Sequence, residues 1–150
     1  MGLNRVRSFL RRHRRIALDT SIFIYQLQAH PRYVSFTNTI FEWLGQRGSQ
    51  AVTSTITMVE LLVHPYRTDN EPLADELYGL LSVYPNLEWI APSLEIADLA
   101  ARIRAEHGLR TPDALQAATV LHTRATGLIT NDPIFERLQN LETLVLDQIL

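Results

Sequence analysis

The sequence predicts a three-layer α/β/α domain whose central, mostly parallel sheet has about four to five strands. Short apolar runs of strand length alternate along the chain with longer segments of helical periodicity. This alternation is typical of a sheet that is covered by helices on both faces. No linker rich in proline, glycine or serine interrupts it. We therefore predict a single domain over residues 1–150, with a basic N-terminal arm over residues 1–15.

The individual elements are predicted from apolar runs and from helix start and stop signals. The predicted strands are, in order, Ile16–Leu18, Ala51–Thr53, Leu87–Ile90, Leu128–Thr130 and Thr143–Leu146. The predicted helices are Ser21–Gln28, Asn38–Gln46, one that starts near Thr55 and ends before Pro65, Pro72–Leu81, Leu94–Glu106, Thr111–Leu121 and a short one at Phe135–Leu138. Thr111-Pro112-Asp113 gives the clearest start, with an N-cap, a first-turn proline and a first-turn acid.

The composition is that of an ordinary globular protein, and the absence of cysteine leads us to expect a cytoplasmic one. Hydrophobic residues make up 46% of the chain and charged residues 20%, and there is no cysteine. Disulfides and thiolate metal sites are therefore excluded. No apolar run approaches the roughly 20 residues that cross a bilayer, and Asp19 interrupts the apolar stretch near the N-terminus. We expect neither a membrane span nor a signal peptide.

The charge is distributed unevenly between the first 15 residues and the rest of the chain. The net charge is -2, and all 14 basic residues are arginine, six of which lie in the first 15 residues. The remainder holds 8 Arg against 16 Asp and Glu, which is -8. A basic run of this kind can bind the phosphates of a nucleic-acid backbone, with Arg11, Arg12, Arg14 and Arg15 as the candidates. A solvated, partly disordered tail is the alternative.

Four acidic residues follow predicted strands closely enough to converge at one edge of the sheet. Asp19 and Asp132 come at strand ends, Glu60 lies shortly after the second strand, and Asp113 lies at a helix start. In parallel sheets, ligands bind beyond the carboxyl ends of the strands. Carboxylates about 5 Å apart repel one another by roughly 3 kcal/mol at an effective dielectric near 20, so such a cluster requires protons or cations. Oxygen donors favour Mg²⁺ or Mn²⁺, and a pair of these ions can promote phosphodiester hydrolysis.

Each acid also has a purely structural interpretation. Asp19 could cap the following helix, Asp113 could favour the helix dipole, and Asp132 before Pro133 could serve a turn. Glu60 is ordinary if it faces water. Taken together, the four acids favour a catalytic site over four separate structural roles.

Four segments resemble the ordered motifs of the PIN-domain family, and most of all its VapC-type toxins. They are Ala17–Phe23, Thr57–Leu62, Thr111–Ala118 and Leu128–Asp132, and the resemblance spans Ile16 to about Leu146. It implies that Asp19, Glu60, Asp113 and Asp132 are catalytic residues and metal ligands, with Glu60 acting directly or through a water. It also implies that Thr130, and more weakly Ser21, position water or substrate.

The resemblance further implies a Mg²⁺- or Mn²⁺-dependent endoribonuclease, the toxin of a type II toxin–antitoxin pair. Its partners would be RNA, a VapB-like antitoxin and a second copy of the chain in a homodimer. A non-toxin RNA-processing nuclease and an inert nucleic-acid-binding module remain alternatives. A phosphatase of small esters is a further one, although Ser21 occupies the place where a nucleophilic-aspartate phosphatase usually has a second acid.

Overall fold

A computed structural model describes residues 1–150 and contains one five-stranded sheet in which all neighbouring strands are parallel. The strand order is β3-β2-β1-β4-β5. The strands are β1 (Arg15–Leu18), β2 (Gln50–Ser54), β3 (Leu87–Ile90), β4 (Gly127–Thr130) and β5 (Glu142–Val145). The predicted α/β class and the predicted size of the sheet are confirmed. Because β1 lies between β2 and β4 and all three are parallel, the residues that follow these strands lie close together at the carboxyl edge of the sheet.

Helices cover both faces of this sheet, which gives the predicted three layers. Alternate strand residues point to opposite faces: Ile16 and Leu18 belong to one hydrophobic core, and Ala17 belongs to the other. The first core is closed by α1 to α5, and the second by α6, α7 and a short 3₁₀ helix. The helices are α1 (Gly2–Arg12), α2 (Thr20–Leu27), α3 (Val34–Leu44), α4 (Thr55–Arg67), α5 (Glu71–Ser82), α6 (Leu94–His107) and α7 (Thr111–His122), with 3₁₀ helices at Pro133–Arg137 and Leu146–Ile149. No helix is long and apolar enough to span a bilayer.

Several helix boundaries differ from the sequence-based prediction, among them that of α3, which begins at Val34, four residues before the predicted Asn38, and ends at Leu44. The prediction that α4 ends before Pro65 was wrong, because the helix continues to Arg67 with Pro65 buried in its last turn. Pro65 has no N–H to donate to the Leu61 carbonyl, so the helix loses one hydrogen bond there, and burial of the proline ring offsets that loss. Thr111 was predicted to cap α7, but the N-cap is Arg110 and no side chain caps this end. The Thr111 hydroxyl instead accepts a hydrogen bond from Arg104.

The Arg-rich N-terminal segment forms an ordered helix and not a disordered tail. Val6, Phe9 and Leu10 of α1 are buried in the first core. The helix lies close to β4 at Gly127, where an added Cβ would come within 2.7 Å of the Phe9 ring. These apolar residues recur at helical spacing between the arginines, and burying them fixes the helix against the sheet.

Candidate active site

The four predicted acids line one open pocket at the carboxyl edge of the sheet. The pocket has a volume of about 400 Å³, and Asp19, Glu60, Asp113 and Asp132 all contribute to its wall. Asp19 follows β1, Asp132 follows β4, and Glu60 and Asp113 come from α4 and α7. Four segments that are distant in sequence therefore bring carboxylates into one space, as the strand-end argument predicted.

Asp19 is the most buried of the four, with only 8% of its surface exposed. It caps α2 by accepting a hydrogen bond from the Ser21 backbone N–H at 2.9 Å, and the Ser21 hydroxyl donates to the same oxygen. The Thr130 hydroxyl donates to the other oxygen. The pKa of Asp19 is raised to about 6; burial is the largest cause and the charge of Asp132 adds to it, while the hydrogen bonds from Ser21 and Thr130 oppose the shift.

Thr130 connects Asp19 to Asp132. The pairing of Leu18 with Ile129 in the parallel sheet sets the next residues, Asp19 and Thr130, side by side. The Thr130 hydroxyl also accepts a hydrogen bond from the Asp132 backbone N–H at 3.0 Å. Asp132 itself caps the following 3₁₀ helix through Ile134 N–H. The capping interpretations of Asp19 and Asp132 are thus compatible with a shared site.

Ser21 and Thr130 were predicted to position water or substrate. In the structure both hydroxyls donate to Asp19, so each orients that carboxylate. Ser21 also lines the pocket, whereas Thr130 is fully buried beneath it. Their action on water or on RNA stays a prediction.

Asp113 lies in the first turn of α7 and is partly buried at the pocket wall. Burial raises its pKa, the charges of Asp132 and Glu60 raise it further, and Arg110 opposes these effects.

Glu60 stands at the exposed end of a buried hydrogen-bond network that the sequence analysis did not predict. The network is formed by Thr20, Thr53, Thr57 and Gln116, all of which are buried. Thr20 donates to Glu60 Oε1 at 2.8 Å. Gln116 also lines the pocket. Gln116 lies three residues after Asp113 on the same helix face, and this spacing is the signal that could have identified it.

The directions of these hydrogen bonds follow from the proton count of each group. The single hydroxyl proton of Thr53 goes to the Leu18 carbonyl at 2.9 Å, so Thr57 donates to Thr53 at 2.8 Å. The Gln116 amide donates to Thr57 at 2.8 Å and lies 3.5 Å from the Thr20 hydroxyl. The Thr20 hydroxyl has Thr57 and Glu60 as possible acceptors, and it donates to Glu60, which is the nearer of the two at 2.8 Å against 3.2 Å. A satisfied buried network of this kind restricts the side chains it contains, and this one ends in a donor that holds the Glu60 carboxylate.

Replacing Thr20 with valine is expected to lower catalytic turnover by about 10- to 100-fold, the usual effect of removing a partner that orients a functional group. Valine keeps the shape of threonine but cannot donate to Glu60. The measurement is kcat and KM on an oligoribonucleotide. Thr119→Val is the matched control, because the Thr119 hydroxyl is buried and bonds only to the Leu115 carbonyl of its own helix. Equal rates for the two variants would contradict a positioning role for Thr20.

Tyr25 and Asn131 form a fixed wall of the pocket that sequence reasoning also missed. The Asn131 side-chain amide donates to the Tyr25 hydroxyl at 3.0 Å, and its oxygen accepts the Asp147 N–H at 2.8 Å. Tyr25 stacks on Tyr33 with ring centroids 4.3 Å apart. The position of Asn131 directly before the fourth acid was the available signal.

The donor set of the pocket fits a hard divalent cation. As the side chains stand, no three acidic or histidine groups are placed so that they could hold one ion together. Mg²⁺ is usually bound through one or two carboxylates and retains several waters, so it does not require a closed protein cage. The raised pKa values of Asp19 and Asp113, each due in part to neighbouring acids, show a site in which added positive charge would be favourable.

The four arginines predicted to bind RNA lie outside the pocket. Arg12 pairs with Glu142 and also bonds Ser8. The Arg15 guanidinium forms a salt bridge with Glu88, with Nη2 and Oε2 3.6 Å apart, and it donates to the Thr123 carbonyl at 2.8 Å. Arg11 and Arg14 are exposed and pair with no acid. Two of the four candidates are therefore engaged within the chain.

Comparison with known proteins places this arrangement in a wider group. A family model for the PIN domain matches residues 16–141. DNA-bound VapBC from Salmonella typhimurium is similar in structure, with a TM-score of 0.68 and 22% identity over 88% of this chain and 98% of that chain. VapBC-1 from nontypeable Haemophilus influenzae has a TM-score of 0.67 and 23% identity over 89% of this chain and 98% of that chain. A toxin–antitoxin complex from Klebsiella pneumoniae has a TM-score of 0.65 and 22% identity over 87% of this chain and 97% of that chain. At these identities the likeness concerns the fold. A search of the curated proteins found no match.

Proposed function

Because this chain belongs to the PIN-domain family, we propose that it is a divalent-metal-dependent endoribonuclease that hydrolyses RNA phosphodiester bonds. The observation that carries the proposal is the meeting of Asp19, Glu60, Asp113 and Asp132 in one polar pocket. Like charges gathered in this way are unfavourable unless a cation joins them.

In this proposal the four acids hold Mg²⁺ or Mn²⁺. When bound, the metal activates water and stabilises the negative charge on the phosphodiester. The side chains supply the geometry. Ser21 and Thr130 fix both oxygens of Asp19, and Thr20 fixes Glu60. The pocket is open to one side, so a polymer strand can enter it. The products are a 5′-phosphate and a 3′-hydroxyl.

We further propose that the protein is the cytoplasmic toxin of a type II toxin–antitoxin pair. An apolar groove of about 380 Å³ adjoins the acid pocket and shares Ile24 and Glu60 with it. Its apolar lining is contributed mainly by α2, α4 and α5. In this proposal an antitoxin helix would occupy the groove, and an arginine on its tail would reach the carboxylates. A homodimer would cover the exposed Val59, Val63 and Tyr66, which share one side of α4.

Removal of divalent metal is expected to abolish RNA cleavage. Purified protein incubated with single-stranded RNA should cut it in Mg²⁺ or Mn²⁺ and leave it intact in EDTA, and excess Mn²⁺ should restore cutting. Sequencing gels read the cut positions and the chemistry of the product ends. RNA left intact in both metals would overturn the nuclease proposal and favour an inert binding module.

Two controls separate the remaining alternatives. Turnover of a generic phosphate monoester with RNA left intact would indicate a phosphatase. Inducible expression in a bacterial host tests the toxin assignment: a toxin stops growth, and a neighbouring small gene product restores it. Specific cutting in vitro without growth arrest would indicate a processing nuclease instead.

A further inference from the structure

The N-terminal segment carries four arginines whose positive charge the acid pocket does not explain. Arg5, Arg7, Arg11 and Arg14 are exposed and make no salt bridge with any acid, although the chain has more acidic than basic residues. Arg5 lies on the opposite side of α1 from Arg7, and Arg14 follows the end of the helix, so we use the name arginine face for Arg7 and Arg11 alone. They also make no side-chain hydrogen bond within the chain, whereas Arg12 and Arg15 do.

The arginine face is held in a fixed position by the fold. The apolar side of α1 is part of the first core, through Val6, Phe9 and Leu10. Arg7 and Arg11 are four residues apart and so lie next to each other on one side of the helix. The family match begins at residue 16, so this helix lies outside the matched segment. Burying the apolar side keeps unpaired positive charge on the outer surface.

The amino end of α1 approaches the wall of the acid pocket. Gly2 lies against the 3₁₀ helix that follows β5, where a Cβ added to the glycine would overlap the Ile149 carbonyl. Asp147 of the same 3₁₀ helix hydrogen-bonds Asn131, which lines the pocket. From this end, α1 extends about 16 Å, given a rise of about 1.5 Å per residue. The carboxyl end of α1 lies at the opposite edge of the sheet, where Arg12 pairs with Glu142 of β5, so a strand that left the pocket past Asn131 and ran along α1 would pass Arg7 and then Arg11.

We propose that the arginine face binds the phosphate backbone of the RNA strand beyond the cut site. The proposal rests on the proposed function, since RNA is the polyanion that a ribonuclease must hold. The acidic pocket repels phosphates until cations enter it, so the chain needs positive charge elsewhere to retain a long substrate. Arginine suits this role because its planar guanidinium donates in pairs to phosphate oxygens. Such contacts are independent of sequence and lengthen the footprint of the enzyme.

The test compares two double variants that remove the same charge. Arg7→Gln/Arg11→Gln alters the arginine face, and Arg67→Gln/Arg102→Gln alters exposed arginines on α4 and α6. Affinity for a labelled 20-nucleotide RNA is measured in EDTA by fluorescence anisotropy over a range of salt concentrations. Each lost phosphate contact on a single strand lowers the magnitude of the log K against log salt slope by about 0.7. We expect a fall of about 1.4 for the first pair and little change for the second.

The outcome also separates this proposal from the nuclease proposal, because binding is measured without cleavage. Arg7→Lys/Arg11→Lys should restore most of the slope, since the positive charge is kept. Under cleavage conditions the glutamine pair should raise KM for long RNA by about tenfold and leave kcat unchanged. If the slope of log K against log salt were the same for the two glutamine pairs, the RNA-binding proposal would be wrong. An acidic protein would then be the remaining candidate ligand of the arginine face. Binding with the expected slopes but no cleavage in any metal would instead refute the nuclease activity alone.

Discussion

Replacing Asp19 or Asp113 with asparagine is expected to lower RNA cleavage by at least about 10³-fold. Each substitution removes one negative charge from the pocket and one anionic oxygen donor for a divalent ion. A bound ion contributes several kcal/mol to stabilising the transition state, and each 1.36 kcal/mol corresponds to a tenfold change in rate. The measurement is kcat/KM in saturating Mn²⁺ on an RNA with a single cut site, and growth after induction gives the same comparison in cells.

Asp98→Asn is the control for this comparison. Asp98 is an exposed acid on α6 that pairs with Arg102 and does not line the pocket. Its replacement removes the same charge and should change cleavage by less than about twofold, as expected of a surface pair. Full activity in both Asp19→Asn and Asp113→Asn would show that the pocket acids are not the metal ligands. The asparagine variants should also lose the binding of Mn²⁺ measured by calorimetry, which links the loss of activity to the ion.

The sequence predicted the main features of the fold because the sheet is covered on both faces. Strands such as Ile16–Leu18 and Leu128–Thr130 read as continuous apolar runs, and each ends at or beside an acid. The general rule that ligands meet the carboxyl ends of parallel strands was enough to predict that Asp19 and Asp132 lie together. The order β3-β2-β1-β4-β5 supplies the physical reason, since β1 and β4 are neighbours.

What the sequence could not predict depends on contacts between residues that are far apart in the chain. Threonines in strands and helices are common and usually mean little, so nothing marked Thr20, Thr53 and Thr57 as one buried network around Gln116. Helix α1 was not predicted from the sequence, for a different reason. Its arginines dominate the composition, while the stripe of Val6, Phe9 and Leu10 becomes informative only once it is packed against Gly127 and the sheet.

The second large effect of Asp19→Asn concerns the stability of the fold, which this substitution is expected to raise although it lowers RNA cleavage. In metal-free protein, Asp19→Asn is expected to raise the free energy of unfolding at pH 8 by roughly 3 kcal/mol. Burial raises the pKa of Asp19 from 3.8 to about 6, so the folded chain holds this proton more tightly than the unfolded chain does. The contribution of the proton to stability is complete below about pH 4 and is lost as the pH rises through 6. Asparagine carries no such titration and can still accept from Ser21.

Urea unfolding in EDTA from pH 4 to pH 8 measures the difference between the two proteins. The difference should be near zero at pH 4 and should grow between pH 4 and 7. A constant difference, or a variant less stable than wild type at pH 8, would contradict a buried, titrating Asp19. Saturating Mn²⁺ should then stabilise the wild type at pH 8 and leave the variant nearly unchanged, because only the ionised carboxylate attracts the ion. The charge that makes Asp19 unfavourable in the metal-free fold is the same charge that makes the pocket bind a cation.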